Sequence, residues 1–583
     1  CTEKNVGLYV LDVNTLRVSI LVKPCRRTTD PSLDIQGVKD FFSVDGFLAK
    51  AFSHYEYRDE QVQLACFVAS CMNNEAIGFA EAGTGTGKTF AYLVPLLMRM
   101  RERNERVVVA THTIHLQEQI MRKDIPILQK IMPTPFKAVL VKGRSNYVCL
   151  RKLFFDEEQG LFSFADEQRG VLDELRAWSR KTDDGSLSDL PTLPAPVLWE
   201  RIASEHGNCM GSQCHYYREC FFHRARRRAQ QADVLVVNHH ILCSDGFSRV
   251  EEGREKEGTL LPDYKIIIFD EAHNLEDAIT SYHTIEISRY TCLKLLRRIL
   301  ATGKKKNDDG LLTSVKRVIK KNHAEEYRAI ITLEDFVRRA IQRVESFFSA
   351  ATQRLGPLCE GRTRSVDSSI AREIHALVQE GSDPVDVIDA MRQTARGLIA
   401  VAEGIQKKKE EKEKSAVDSL VLMLQAQAVK CEQYAMMMNS FFSSIEEAHD
   451  RVSWLEMKRE GRYGDVLIFC SAPVAIDSMV NAILVPHERT ALFISATLTV
   501  GGSFKYIQER LGLRGEEVMA LGRTTQEVVL SSSFDFEQNV LVGVFSDMEE
   551  PQHCDYEMKS VHCVSELLER LEGKAFVLFT SYA

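Results

Sequence analysis

Ala82-Gly83-Thr84-Gly85-Thr86-Gly87-Lys88-Thr89 follows a short apolar run at 77–80 and opens a helical stretch at 89–100. Strand, glycine-rich turn and helix in that order are the setting of a phosphate-binding loop. Gly83, Gly85 and Gly87 let successive backbone N–H groups turn inward around phosphate oxygens, and the helix N-terminus adds partial positive charge. Lys88 would reach the β- and γ-phosphates of ATP, and the Thr89 hydroxyl would ligate Mg²⁺. Ala82 departs from the strict pattern, which has glycine there, but the phosphate-facing residues are intact.

Working outward, 107–110, 234–237 and 266–269 are continuous apolar runs rich in β-branched residues, separated by helical text. Strands apolar on both faces predict a parallel sheet covered by helices on each side, hence an α/β fold of the RecA-like P-loop NTPase kind. The run at 266–269 delivers Asp270-Glu271-Ala272-His273 to the carboxyl edge of that sheet, where open α/β folds bind ligands. Asp270 would hold Mg²⁺ through water, and Glu271 would orient or deprotonate the attacking water. Lys88, Asp270 and Glu271 are thus the expected catalytic set. Asp-Glu-Ala-His paired with the loop points to a superfamily 2 helicase.

Other segments fit the same pattern. Arg58 and Gln61 precede the first strand and resemble an adenine-reading Q motif; with His273 they complete the expected nucleotide side. Thr111-His112-Thr113 follows a buried strand, where Thr111 and Thr113 would meet DNA phosphates. Ser495-Ala496-Thr497 follows the apolar run 491–494, with Ser495 and Thr497 expected to couple hydrolysis to DNA movement.

The chain of 583 residues suggests about four domains, and 44% hydrophobic with 27% charged residues rules out a disordered or fibrous protein. A net charge of −8 means that any basic nucleic-acid site must be local. No run reaches the ~20 apolar residues of a membrane span, so no membrane role is expected, and the setting predicted is cytoplasmic and nucleoid-associated. Cys1 in place of Met, and the ending Thr580-Ser581-Tyr582-Ala583, read as a cut chain.

The predicted organisation is a β-hairpin leader at 1–45; a motor domain from 46–142, 226–275 and 461–502; a cysteine domain at 143–225; a helical insertion at 276–460; and the start of a second RecA-like domain at 503–583. The last segment is expected to carry strands at 540–544 and 575–579. The charge run at 407–414 reads as a solvated helix or linker.

Cys209-x₄-Cys214-x₅-Cys220 lies between the phosphate loop and Asp270, and Cys149 stands earlier, beside Gly143-Arg144-Ser145-Asn146-Tyr147. Spacing alone leaves open a [4Fe–4S] cluster, tetrahedral Zn²⁺ or ordinary free thiols. The order of loop, Cys149, three-cysteine group, Ala232–His239, Asp-Glu-Ala-His, helical insertion and Ser-Ala-Thr-Leu resembles the DinG/XPD family of iron–sulfur DNA helicases, on the bacterial DinG/YoaA side. The resemblance implies a [4Fe–4S] cluster on Cys149, Cys209, Cys214 and Cys220 and ATP-driven 5′→3′ movement on single-stranded DNA. It also implies a helical Arch domain and work on forked DNA in repair or replication, with single-stranded-DNA-binding protein or replication factors as candidate partners.

Arg224, Arg226, Arg227 and Arg228 follow the last cysteine on a predicted helix. Arg226 and Arg227 are expected to grip DNA phosphates, against the plainer reading of a solvated basic face. No Q-x-x-G-R-x-x-R arginine-finger motif is found, so the chain as given is expected to turn over ATP weakly. Two rival readings are an iron–sulfur nucleic-acid-binding protein with a vestigial motor and a nuclease; residues 1–45 show no clustered acidic ligands for the latter.

Overall fold

The architecture is taken from a computed structural model describing residues 8–12, 17–22, 32–103, 105–155, 166–251, 260–301, 310–319, 324–359, 363–407, 414–446, 450–460, 464–484, 490–515, 518, 523–546, 548, 550, 553 and 555–578. Near the N-terminus, β1 (Leu8–Asp12) and β2 (Arg17–Val22) pair antiparallel, as the alternating text predicts. The motor sheet is built from β3 (Ile77–Ala82), β4 (Val107–Thr111), β5 (Ala138–Leu140), β6 (Val234–Asn238) and β7 (Ile266–Asp270). The insertion contributes β8 (Ile285–Ser288), β9 (Thr363–Ser365), β10 (Arg451–Glu460) and β11 (Gly464–Pro473), after which β12 (Thr490–Ser495) and β13 (Thr525–Leu530) return to the motor.

Seven strands form the motor sheet in the order β13-β3-β12-β7-β4-β6-β5, every neighbouring pair parallel. Side chains alternate between faces, so each strand feeds two cores. Val107, Val109, Ile266, Ile268, Leu492 and Ile494 pack beneath the helices Asp59–Asn73 and Lys88–Arg103. Val108, Ala110, Ile267, Phe269, Ala491 and Phe493 pack on the opposite face. There Phe79, Phe493 and Phe269 stack across three adjacent strands, with ring centroids 4.9 and 4.6 Å apart. Such offset aromatic pairs contribute about 0.5–1.5 kcal/mol beyond the area they bury.

Two expected boundaries move. The run at 466–470 lies in β11, which pairs antiparallel with β8 and β10 in a separate four-strand sheet, β8-β11-β10-β9, rather than joining the motor. The insertion is therefore helical plus this sheet: long helices Ala324–Leu355, Pro384–Lys407 and Lys414–Glu446 pack on Leu455, Leu467 and Phe469. The middle of the charge run, 408–413, lies outside the described residues.

At the other end, 503–530 does not start a new domain, because β13 adds to the motor sheet beside β3. Residues 532–583 form a separate unit holding the helix Tyr556–Arg570. The strands expected there are not formed. Residues 540–544 and 575–578 lie in no regular element, Phe579 is outside the described residues, and Leu541 is 98% exposed. An apolar run becomes a strand only when another strand accepts its hydrogen bonds, and this unit offers none among its described residues.

A π-helical turn, Ile120–Asp124, interrupts the helix after β4 and buries Asp124, whose Oδ2 has no hydrogen-bond partner among the described residues. Burial pushes its carboxyl up to about 6, with Lys123 pulling the other way. The folded chain then holds this proton more tightly than the unfolded chain, so stability falls as pH rises from about 4 to 6 and is level above. Asp124→Asn should stabilise the protein by at most about 3 kcal/mol at about pH 7.5, seen as a raised thermal midpoint, and leave the midpoint unchanged at about pH 4; differential scanning fluorimetry reads both.

Candidate functional site

Parallel pairing puts the carboxyl ends of the motor strands on one edge, and the motif residues follow from that. β3 runs into the glycine loop, β12 into Ser495-Ala496-Thr497, β7 into Asp270-Glu271, and β4 into Thr111-His112-Thr113. In the loop, the Thr86 hydroxyl donates to the Gly83 carbonyl at 2.6 Å, and Lys88 Nζ donates to the Ala82 carbonyl at 3.3 Å. Gly85 and Gly87 sit at φ 84° and 76°, backbone that favours glycine. A Cβ on Gly87 would stand 2.1 Å from Gln61 Nε2.

Arg58 and Gln61 both face the loop. Arg58 donates to the Gly85 carbonyl, and Gln61 Nε2 donates to the Gly87 carbonyl at 3.0 Å. They brace the loop directly, a contact that the adenine-reading expectation did not include.

Asp270 is 6% exposed. Burial and the charge of Glu271 push its carboxyl up to about 7, against the pull of Lys88, the Glu271 N–H and Tyr92. The Tyr92 hydroxyl donates to Asp270 Oδ2 at 3.4 Å, and His239 Nε2 donates to the Asp270 carbonyl at 3.1 Å. Neither residue was singled out from the sequence. Tyr92 was findable, since it lies four residues after Lys88 and so on the same helix face.

Glu271 takes a left-handed backbone, φ 52°, an uncommon conformation for a residue with a Cβ. The Ser495 hydroxyl lies 3.4 Å from Glu271 Oε2 and shares a 2.6 Å hydrogen bond with His273 Nδ1. His273, expected on the nucleotide, thus touches the Ser-Ala-Thr segment. Ser495 is fully buried, whereas Thr497 is exposed.

The expected DNA contacts divide. Thr111 is buried, because β4 ends inside the sheet edge, and cannot meet a phosphate in this arrangement. Thr113 is exposed, but its hydroxyl accepts the Leu116 N–H as a helix cap. Arg226 is turned inward: it donates to the Leu260 carbonyl and lies over the Phe222 ring, 4.9 Å from its centroid. The periodicity of Phe221–Gln230 explains this, since Phe222 and Arg226 are four residues apart on the buried side. Arg227 and Arg228 are exposed, and Arg224 pairs with Asp183 at 2.9 Å.

Cys149, Cys209, Cys214 and Cys220 are all half-buried free thiols. Burial lifts Cys214 and Cys220, the latter to about 11, and both also feel the negative charge of Cys149 and Cys209. Burial would lift Cys209 too, but His223, the Gly211 N–H and Arg144 draw it down to about 6. Thiols near enough to share charge, one already near its thiolate form, fit a soft-metal donor set. Among the described residues, however, no three His, Cys, Asp or Glu side chains close into a metal-binding group.

Similarity to known proteins agrees with the edge just described. The DEAD/DEAH box helicase family matches residues 60–156, and the DEAD_2 family matches 207–292. The ATP-dependent DNA helicase YoaA of Escherichia coli is 37% identical over 264 residues, covering 45% of this chain and 40% of that protein. The ATP-dependent DNA helicase YoaA of Haemophilus influenzae is 26% identical over 94% of this chain and 74% of that protein. The protein named 3′-5′ exonuclease DinG of Bacillus subtilis is 25% identical over 92% of this chain and 55% of that protein. The matches to the Escherichia coli and Bacillus subtilis relatives thus span less than two thirds of those proteins. The chain is thus similar to proteins named DinG and YoaA, and two of its segments match the DEAD/DEAH box helicase and DEAD_2 families.

Proposed function

We propose that this chain is the ATP-hydrolysing motor portion of a helicase that moves 5′→3′ on single-stranded DNA and opens forks in repair or replication. The observation that carries the reading is the meeting of Lys88, Asp270, Glu271 and Ser495 along one sheet edge. Gly83, Gly85, Gly87 and Lys88 would cradle the triphosphate, while Arg58 and Gln61 steady the loop that holds it. Thr89 and Asp270 would hold Mg²⁺, which neutralises phosphate charge when bound. Glu271, held by Ser495, would orient the attacking water and take its proton. That hydroxyl, shared with His273, ties the water-activating carboxylate to the segment that follows β12.

Cys149, Cys209, Cys214 and Cys220 are proposed to hold a [4Fe–4S] cluster, whose part would be to fix the cysteine domain in shape. Arg227 and Arg228, exposed beside it, are the basic groups proposed to meet DNA phosphates.

The test uses anaerobically purified full-length protein. Iron and acid-labile sulfide should be present in equal amounts, about four of each per chain. It should displace a strand from a fork bearing a 5′ tail, and Lys88→Ala should abolish displacement. Equal displacement by both proteins would refute the motor reading, and zinc in place of iron would refute the cluster.

A further inference from the structure

Glu81 stands one residue before the phosphate loop, on β3, opposite Ser495 in the parallel register with β12. Its carboxylate is spent on a single segment. Oε2 accepts the amide N–H groups of Leu498 and Thr499, each at 2.6 Å, and Oε1 accepts the Thr499 hydroxyl at 2.9 Å. Burial alone would lift this carboxyl, but the bonds from Thr499 and Leu498 hold it below the ordinary carboxylate range. It is therefore charged at neutral pH, and its bonds are of the stronger, charge-assisted kind.

On the loop side, the next carbonyl along the chain, that of Ala82, accepts from Lys88 Nζ. On the other side, the Thr497 N–H lies 3.4 Å from Ser495 Oγ, which reaches Glu271 and His273. A continuous polar chain thus runs from Lys88 through Ala82, Glu81 and the 497–499 segment to Ser495 and Glu271. The backbone between Glu81 and Lys88 is a loop with left-handed glycines, whereas Leu498 is 6% exposed and anchored in the core beside Phe493. Among the described residues, Glu81 is the side chain that grips the post-β12 segment from the root of the loop.

We infer that Glu81 is a positioning residue that makes the Ser495–Thr499 segment follow the phosphate loop, so that nucleotide state is passed to the part of the motor that answers to DNA. The inference rests on the proposed ATP-driven reading and deepens it. The Glu81 carboxylate is bonded to Leu498 and Thr499, not to Lys88, Asp270 or Glu271, so its removal should spare chemistry and cut communication.

In full-length protein, Glu81→Ala should keep turnover without DNA, and the KM for ATP, within about twofold. Stimulation by single-stranded DNA should fall about tenfold, within the usual range of coupling between sites. Glu81→Gln, which can still accept both N–H groups and turn its amide toward the Thr499 hydroxyl, should recover stimulation to within about threefold. Thr499→Val, a gentler change at Oε1, should lose stimulation by about threefold and serves if Glu81→Ala does not fold. Equal losses with and without DNA, or no loss at all, would overturn the inference. A wild-type protein lacking DNA-stimulated turnover would overturn the motor reading, and this inference with it.

Discussion

Glu271→Gln is expected to lower ATP turnover in the full-length protein by about 10²–10³-fold while leaving ATP affinity within about threefold. The amide keeps the size and the hydrogen bond from Ser495 but cannot take a proton, so the loss falls on the chemical step. The left-handed backbone at Glu271 and the 2.6 Å bond between Ser495 and His273 hold the side chain in place, so the substitution should not displace it. Asp270 changes as well. The Glu271 charge is the second cause lifting that carboxyl, after burial, so the Gln variant should bring Asp270 back down. A coupled turnover assay beside fluorescent-nucleotide binding reads both effects. Turnover within about fivefold of wild type would exclude Glu271 as the group that handles water.

Glu205→Gln is expected to destabilise the cysteine domain and its seat on the insertion by about 3–5 kcal/mol, the cost of stranding a buried charge. Lys152 is the stranded charge. Its side chain is 0% exposed, and Nζ donates to the Ala203 carbonyl at 2.9 Å and to Glu205 Oε2 at 3.1 Å. Burial draws Lys152 below its ordinary range, and Glu205 opposes that. Glu205 also meets Lys430 and Arg298 of the insertion, the latter at 3.9 Å. Burial works to raise the Glu205 carboxyl, but those three cations hold it well below the ordinary carboxylate range. Its stabilisation is therefore fully present above the unfolded value near 4.3 and fades as pH falls below it. The gap between variant and wild type should be wide at neutral pH and should narrow in acid. Urea unfolding followed by the fluorescence of Trp199, in the cysteine-domain core, measures it.

The sheet edge was legible because two local rules coincide there. A run such as 266–269, apolar at every position, has to be a strand covered on both faces, and Asp-Glu then follows at its carboxyl end. The glycine loop carries its geometry in composition. What stayed hidden depends on partners distant in sequence. β13 reads as polar alternation, and only β3 as a neighbour makes it part of the motor. β11 looks like a motor strand because Val466, Ile468 and Cys470 are apolar, yet its partners are β10 and β8. Arg226 looks like a surface cation until Phe222 and the Leu260 carbonyl claim it. Asp270, by contrast, was identifiable from the motif alone, but the Tyr92 and His239 contacts that set its surroundings come from other strands and helices.

The antiparallel pairing of β8 with β11, in which Ile468 faces Ser288, bears on how the insertion could have been acquired. The chain departs from the motor along one strand and comes home along its immediate neighbour. The described residues between 289 and 467 lie, along the chain, between the two strands of that stem, like a bag closed at its neck. Swapping the bag for a tight turn leaves the ends one rung of hydrogen bonds apart, with the strands bearing Asp270 and Ser495 undisturbed. A lobe attached in this manner can be enlarged, exchanged or discarded over evolution without rebuilding the engine beneath it.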